Sequence, residues 1–309
     1  MDFTIQQLRL LREVATRGTI AAAAAAVGYT PSAVSQQLAS LERAVGTPPL
    51  ERVGRNVRLT DAGRELVHHG DEILARVEET QVAIERLQGE ARGELSISVY
   101  ESVGSTLLAP LLKLIAVRHP ALRLRSRFLD PEFAIDSLAM GELDLAFAID
   151  YADAPEEPRT DVIRELVLND QFFLVVPDDD DLTGPTVSLD KVADRPFVAS
   201  PPHLSCGRYV VMACRRHGFE PDVVHQLDDY PTTLRLVAAG VGVSLVPSLG
   251  LVDVPPGVRA IPLRTPVVRQ VQLAYRTASA DRPAIGAIRT ALADVVADLE
   301  TIGDQPKAA

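Results

Sequence analysis

Cysteine is nearly absent from this chain: Cys206 and Cys214 are the only two in 309 residues. Two thiols cannot staple a scaffold, and such scarcity fits a reducing compartment, so a cytoplasmic protein is expected. No apolar run is long enough to cross a bilayer. The opening MDFTIQQLRLLREVATRG carries charges where a secretory signal needs an apolar core. No His/Cys set has zinc-ligand spacing, and the pair His68–His69 has no further ligands nearby in the sequence. No glycine-rich phosphate loop follows the first body strand. A Ser–His–Asp set could be assembled from any chain of this size, so its availability carries no weight. No enzyme, no metal and no cofactor are therefore expected. Only Lys113, Lys191 and Lys307 are lysines; nothing functional follows from that bias.

What is present points elsewhere. Hydrophobic residues make up 47% of the chain, enough for sizeable cores, and the length suggests two or three units. The net charge of −11 alone argues against a nucleic-acid binder. Its distribution reverses that argument. Residues 1–60 hold seven arginines and four acidic residues, a net of +3, and the remainder carries −14. A basic head on an acidic body fits a DNA reader.

The head contains TIAAAAAAVGYTPSAVSQQLASLERAVGTPPLERVGRNVR, Thr19 to Arg58. Two short helices are expected here, joined at Gly28–Tyr29. Gly28 permits the tight turn. Thr30 can cap the second helix and Pro31 suits its first position, where no N–H is needed. Alanines let the two helices cross closely. Val34, Leu38, Leu41 and Val45 form the buried stripe of the second helix. Thr30 and Pro31 at its start, with Ser32, Ser35, Gln36, Gln37, Ser40 and Arg43, are then candidates for contact with DNA. Past Gly46, Arg52, Arg55 and Arg58 flank a Gly54/Asn56 turn. That pattern predicts a hairpin wing along a phosphate backbone. The whole is the make-up of a helix-turn-helix whose second helix enters a major groove.

The segments SAVSQQLASLERAVG and LERVGRNVRLTDAG resemble the N-terminal domain of LysR-type transcriptional regulators. The likeness continues through Phe3–Arg17 and Asp61–Gln88, and LVAAGVGVSLVPS extends it to the far end of the body. The family usually carries Leu-Phe where this chain has Pro49–Leu50. The resemblance implies a winged helix-turn-helix, a long dimerising helix and a two-lobed α/β effector domain like that of periplasmic binding proteins. It also implies small effectors held between the lobes, and tetramers formed through the effector domains.

Thr60–Asp61 opens a helix expected to reach Gln88, roughly 42 Å at 1.5 Å per residue. Leu66, Gly70, Ile73, Val77, Thr80, Ile84 and Leu87 alternate steps of four and three, a heptad seam weak at Gly70 and Thr80. A homodimer through this helix is expected, pairing two heads. The domain expectation is 1–60 for the head, 61–92 for helix and hinge, and 93–309 for the body. Within the body, β-α-β-α-β order predicts a parallel sheet for a first lobe, 93–161 with 267–305. Asp150–Asp161 is read as a crossover into a second lobe, 162–266. There Val162–Leu168 and Phe172–Val176 are read as separate strands.

Ligands of open parallel sheets bind beyond the carboxyl ends of the strands, near helix N-termini. That rule selects Tyr100–Ser105, Asp130–Pro131, Asp150–Tyr151, Ser200–Cys206 and Asp228–Thr233. The family resemblance implies the same serine-bearing loops. The candidate effector residues are Glu101, Ser102, Ser105, Asp130, Asp150, Ser200, His203 and Thr232. These loops hold carboxylates but few cations besides Arg208, which favours a neutral or amine-bearing effector. Cys206 and Cys214 lie where peroxide-sensing members carry a redox pair. One helix would hold them about 12 Å apart along its axis, too far for a disulfide unless it unwinds. The expectation is a promoter-binding regulator modulated by a small molecule between the lobes. The alternatives are a redox sensor using Cys206 and Cys214, and a small-molecule receptor or enzyme domain.

Overall fold

The computed structural model describes residues 2–54, 56–152, 155 and 157–303. Two compact units divide at Gly89/Glu90.

In the first unit, α1 (Ile5–Arg17) starts with a capping box between Thr4 and Gln7 and ends at Gly18, whose φ is +71°. Thr19 caps α2 (Ile20–Val27), and Gly28 ends it at φ +70°. Thr30 caps α3 (Pro31–Val45), with Pro31 in its first turn. Leu10, Leu11 and Val14 of α1 close on Ala23 and Ala24 of α2 and on Val34, Leu38 and Leu41 of α3. The small alanines on the buried side of α2 leave room for these aliphatic side chains. Strands β1 (Leu50–Val53) and β2 (Asn56–Leu59) form an antiparallel hairpin. Its Val57 amide donates to the Gly18 carbonyl, tying the hairpin to the end of α1. Pro49 is buried and does not prevent the wing: β1 begins at the next residue. The Pro49 carbonyl accepts from the Thr60 amide, and the Thr60 hydroxyl donates to the Pro48 carbonyl. The same Thr60 caps α4 (Asp61–Gln88). On α4, Gly70 faces Leu8 of α1, while Ile73, Ile84 and Leu87 of the expected seam stand exposed.

The second unit is mixed α/β. A seven-stranded sheet runs β10-β6-β11-β5-β3-β4, with β9 also paired to β6. The strands are β3 (Gly93–Val99), β4 (Leu122–Phe128), β5 (Leu145–Asp150), β6 (Val162–Pro177), β9 (Ser244–Pro247), β10 (Val258–Pro262) and β11 (Val268–Arg276). β3 runs parallel to β4 and β5, as expected; β11 joins β5 antiparallel. Along β5, Leu145, Phe147 and Ile149 face one core while Ala146 and Ala148 face another. The first face is covered by α6 (Ala109–Arg118), which follows the short α5 (Glu101–Val103), and by α10 (Pro283–Gly303); the second is covered by α7 (Pro131–Ala139).

One correction concerns the lobe boundary. Val162–Leu168 and Phe172–Val176 are a single strand, β6, rather than two strands of the second lobe. Its residues 162–171 pair with β11 of the first lobe, and Phe172 onward pairs with β9 and β10 of the second. The boundary therefore falls inside β6. Strand β10 was not anticipated. The Asp150–Asp161 crossover lies partly outside the described residues. A separate parallel pair, β7 (Pro196–Ala199) and β8 (Asp222–Gln226), carries α8 (Ser205–Arg216) and α9 (Tyr230–Ala238) beside it. Among the described residues no helix is long and apolar enough to cross a membrane.

Candidate functional site

Helix α3 presents an outward polar face. Val34, Leu38 and Leu41 are buried, while Thr30, Pro31, Ser32, Ser35, Gln36, Gln37 and Arg43 are exposed and Ser40 is half-buried. Two of the serines are already engaged. Ser35 donates to the Pro31 carbonyl at 2.8 Å, and Ser32 shares a 3.0 Å hydrogen bond with the capping Thr30. Among the described residues, the side chains of Gln36, Gln37, Arg43 and Arg52 meet no partner. On the wing, Arg58 donates from Nε and Nη2 to Glu51 across the hairpin, at 2.9 and 2.6 Å. Arg58 is thus held by a neighbour, whereas Arg52 has no such partner among the described residues. Arg55 lies outside the described residues.

In the second unit, the carboxyl ends of β3, β4 and β5 meet the second lobe around a narrow cleft that opens to solvent. Tyr100, Glu101 and Ser102 follow β3, Asp130 and Pro131 follow β4, and Ile149 lies one residue before the end of β5. Ser205, Cys206, Asp228 and Tyr230 face them from the second lobe. Three of the expected effector residues, Glu101, Ser102 and Asp130, meet there. Five do not. Ser105 is exposed and donates to the Ser102 carbonyl. Asp150 folds back onto the Tyr151 amide. Ser200 donates to Asp228 at 2.7 Å and lines a separate groove along α8. His203 is exposed, with its carbonyl bound by Arg208. Thr232 is exposed, its amide bound by the capping Asp229. These groups meet local partners or turn to solvent, which loop position alone does not reveal.

The centre of the cavity wall is Arg269 of β11, which was not anticipated. It is 1% exposed and donates from Nε and Nη2 to Asp170 Oδ2 of β6, at 2.9 and 2.7 Å. Nη2 also donates to the Ser102 hydroxyl at 2.7 Å. Asp170 Oδ1 accepts from Ser248 and from the Leu249 amide. The guanidinium stands 5.6 Å from the Tyr100 ring centre and 5.9 Å from that of Phe172. This hub joins β11 and β6 to segments of both lobes where the chain passes between them. A sequence signal existed. Arg269 shares the strand parity of Val271, Leu273 and Tyr275, and Asp170 that of Phe172, Leu174 and Val176, all buried.

Glu101 and Asp130 bind protons more tightly than carboxylates usually do. Burial, then the charges of Asp229 and Asp228, pushes Glu101 up to about 7. Burial also raises Asp130, with Asp228 adding to it. The cysteines are quiet. Both are buried on the unbroken α8. Burial raises Cys206 and lifts Cys214 to about 12. Neither offers a ready thiolate at neutral pH, and neither can reach the other without unwinding α8. Elsewhere, His68, His69 and Glu72 of α4 bring ligand atoms within 4.8 Å of one another. That corrects the expectation that the histidine pair stands alone, although all three are exposed.

Residues 5–64 match the family model of the bacterial regulatory helix-turn-helix protein, lysR family, and residues 88–297 match the LysR substrate binding domain. The chain belongs to the LysR family of transcriptional regulators. It is 31% identical over 253 residues to the HTH-type transcriptional regulator YnfL of Escherichia coli K12, covering 80% of this chain and 83% of that one. It is 26% identical over 268 residues to the transcriptional dual regulator GltC of Bacillus subtilis, covering 86% and 88%. Among solved structures, full-length OxyR from Pseudomonas aeruginosa aligns with a TM-score of 0.71 at 21% identity, over 96% of this chain and 95% of that one. CbnR complexed with its target DNA aligns at 0.54 and 21%, over 95% and 100%. These two likenesses concern the fold. The LysR relatives are transcriptional regulators, which leaves the enzyme alternative without support.

Proposed function

We propose that this LysR-family regulator grips promoter half-sites with paired heads and that a small molecule held between its lobes sets the strength of that grip. The observation that carries the DNA part is the outer face of α3, where Gln36, Gln37 and Arg43 stand exposed and, among the described residues, without side-chain partners. A head of net +3 is modest, so two heads on one DNA supply affinity that one does not. Exposed Ile73, Ile84 and Leu87 on α4 support pairing through that helix. The family supports further assembly to tetramers. A promoter-binding role implies a cytoplasmic protein. Effector binding that favours one interlobe geometry changes DNA affinity by its differential affinity for the two states.

The test is fluorescence anisotropy of the full chain on the intergenic DNA upstream of its own gene, against a scrambled duplex and across a salt series. Preferential binding that weakens with salt is expected. Absence of binding to either duplex at low salt would refute the reading. The same assay, run with added metabolites, finds the effector.

A further inference from the structure

The interlobe cavity is short of positive charge. Arg269 is the cation on its wall, and Asp170 already balances it. Glu101, Asp130 and Asp228 also line the wall. Among the described residues none of these three forms an ion pair. Asp130 accepts from the Glu132 amide and Asp228 from the Ser200 hydroxyl, which are neutral donors. The nearby Arg208 is occupied by Glu132 and the His203 carbonyl.

Among the described residues, two buried polar atoms of residues on the same wall lack a partner. One is Glu101 Oε2 and the other the hydroxyl of Tyr100, a residue only 6% exposed. Folded proteins rarely leave such atoms unmatched, because each forfeits the hydrogen bonds that water gave it. A ligand that donates hydrogen bonds and carries positive charge would answer both deficits. A metal ion fits poorly. Among the described residues, only His68, His69 and Glu72 bring three possible ligand atoms within 4.8 Å, so the cavity carboxylates are too dispersed to share one ion. Several N–H donors spread along a short chain suit them better. A dicarboxylate would meet three carboxylates and an arginine already paired.

Accepting an interlobe effector, we propose that it is a small organic dication, a short-chain diamine. Its N–H groups are received by Glu101, Asp130 and Asp228, the Tyr100 hydroxyl accepts a further one, and its alkyl part lies against Tyr100 and Tyr230.

Isothermal titration calorimetry on the full chain tests this with diaminobutane and propylamine, using butanediol and succinate as charge controls. Saturable binding of diaminobutane, weaker binding of propylamine and none of the controls is expected. Glu101→Gln and Asp130→Asn each weaken it by about tenfold or more, since each removes a charged hydrogen-bond acceptor. Both substitutions keep the local shape, and thermal melting checks that the variants fold. Amine binding is also weaker at about pH 6 than at about pH 8, because Glu101, faced by Asp228, Asp229 and Arg269, takes up a proton near 7. Failure of both amines to bind overturns the proposal. So does amine binding unchanged in Glu101→Gln and Asp130→Asn. Succinate binding without amine binding overturns the cation while the interlobe effector stands. The interlobe reading fails separately: a metabolite that shifts promoter binding would then bind native, Ser102→Ala and Asp130→Asn chains equally.

Discussion

In the head, residues 1–89, the polar side chains of interest stand outside a small aliphatic core. Gln36, Gln37, Arg43 and Arg52 reach solvent, with no side-chain partner among the described residues. In the body, residues 90–309, the corresponding chemistry lies inside. Arg269 and Asp170 are 1% and 0% exposed in their side chains and hold each other. DNA is a large partner that comes to the surface, and its phosphates attract charge from outside. A small effector must be enclosed, so its site needs buried polar groups and a means of balancing them. The head can therefore be read as a sequence of caps and faces, whereas the body requires knowing which buried charge meets which.

The largest expected effect tests the buried pair. Arg269→Met leaves Asp170 charged and enclosed, which should cost about 3–5 kcal/mol of body stability. Urea unfolding followed by circular dichroism measures it; a loss below about 1 kcal/mol would mean the pair is not the hub described. A backbone contact in the head comes next. A Cβ at Gly63 would sit 2.0 Å from the Pro49 carbonyl oxygen. Gly63→Ala should cost about 1–3 kcal/mol and weaken DNA binding, because the base of the wing must move. Melting and DNA binding like those of the native chain would show that Pro49 gives way freely.

A smaller effect separates the two described wing arginines. Arg52→Ala should reduce the slope of log affinity against log salt by about 1 on any duplex. Arg58→Ala should change it less, because Arg58 already faces Glu51. Equal slopes for the two variants would remove the distinction. The smallest effect is in pH. Glu101 has a folded value of about 7 against an ordinary 4.5. A carboxyl raised on folding binds more protons in the folded state, so stability rises as pH falls from about 7 toward 4.5. Native melting temperature should therefore increase modestly across that window, and less so in Glu101→Gln. Identical pH profiles would place the raised group elsewhere.

Several elements were legible because their causes are local. Thr30, Pro31 and Gly28 bound α3 and its turn through backbone chemistry within a few residues. Thr60 and Gly89 delimit α4 in the same way. The strand-end rule picked out Glu101, Ser102 and Asp130, which line one cavity, because a parallel sheet puts those loops together. Other elements were hidden for an equally physical reason. Asn169–Asp170–Gln171 has the polarity of a turn, which divided β6 in the sequence reading. The strand continues because Arg269, 99 residues later, satisfies Asp170 inside the sheet.

By itself the sequence determined the family, the two helices of the reading head, the wing, the long helix and the loops that border the cleft. Each depends on caps, turns and periodicities that span a few residues. Only the tertiary structure decided which of those loop residues face one another, that Arg58 is held by Glu51, and that the cavity's arginine is already balanced. Those outcomes depend on charges brought together from distant strands, where burial turns an unmatched charge or hydrogen bond into a cost that water would otherwise have covered.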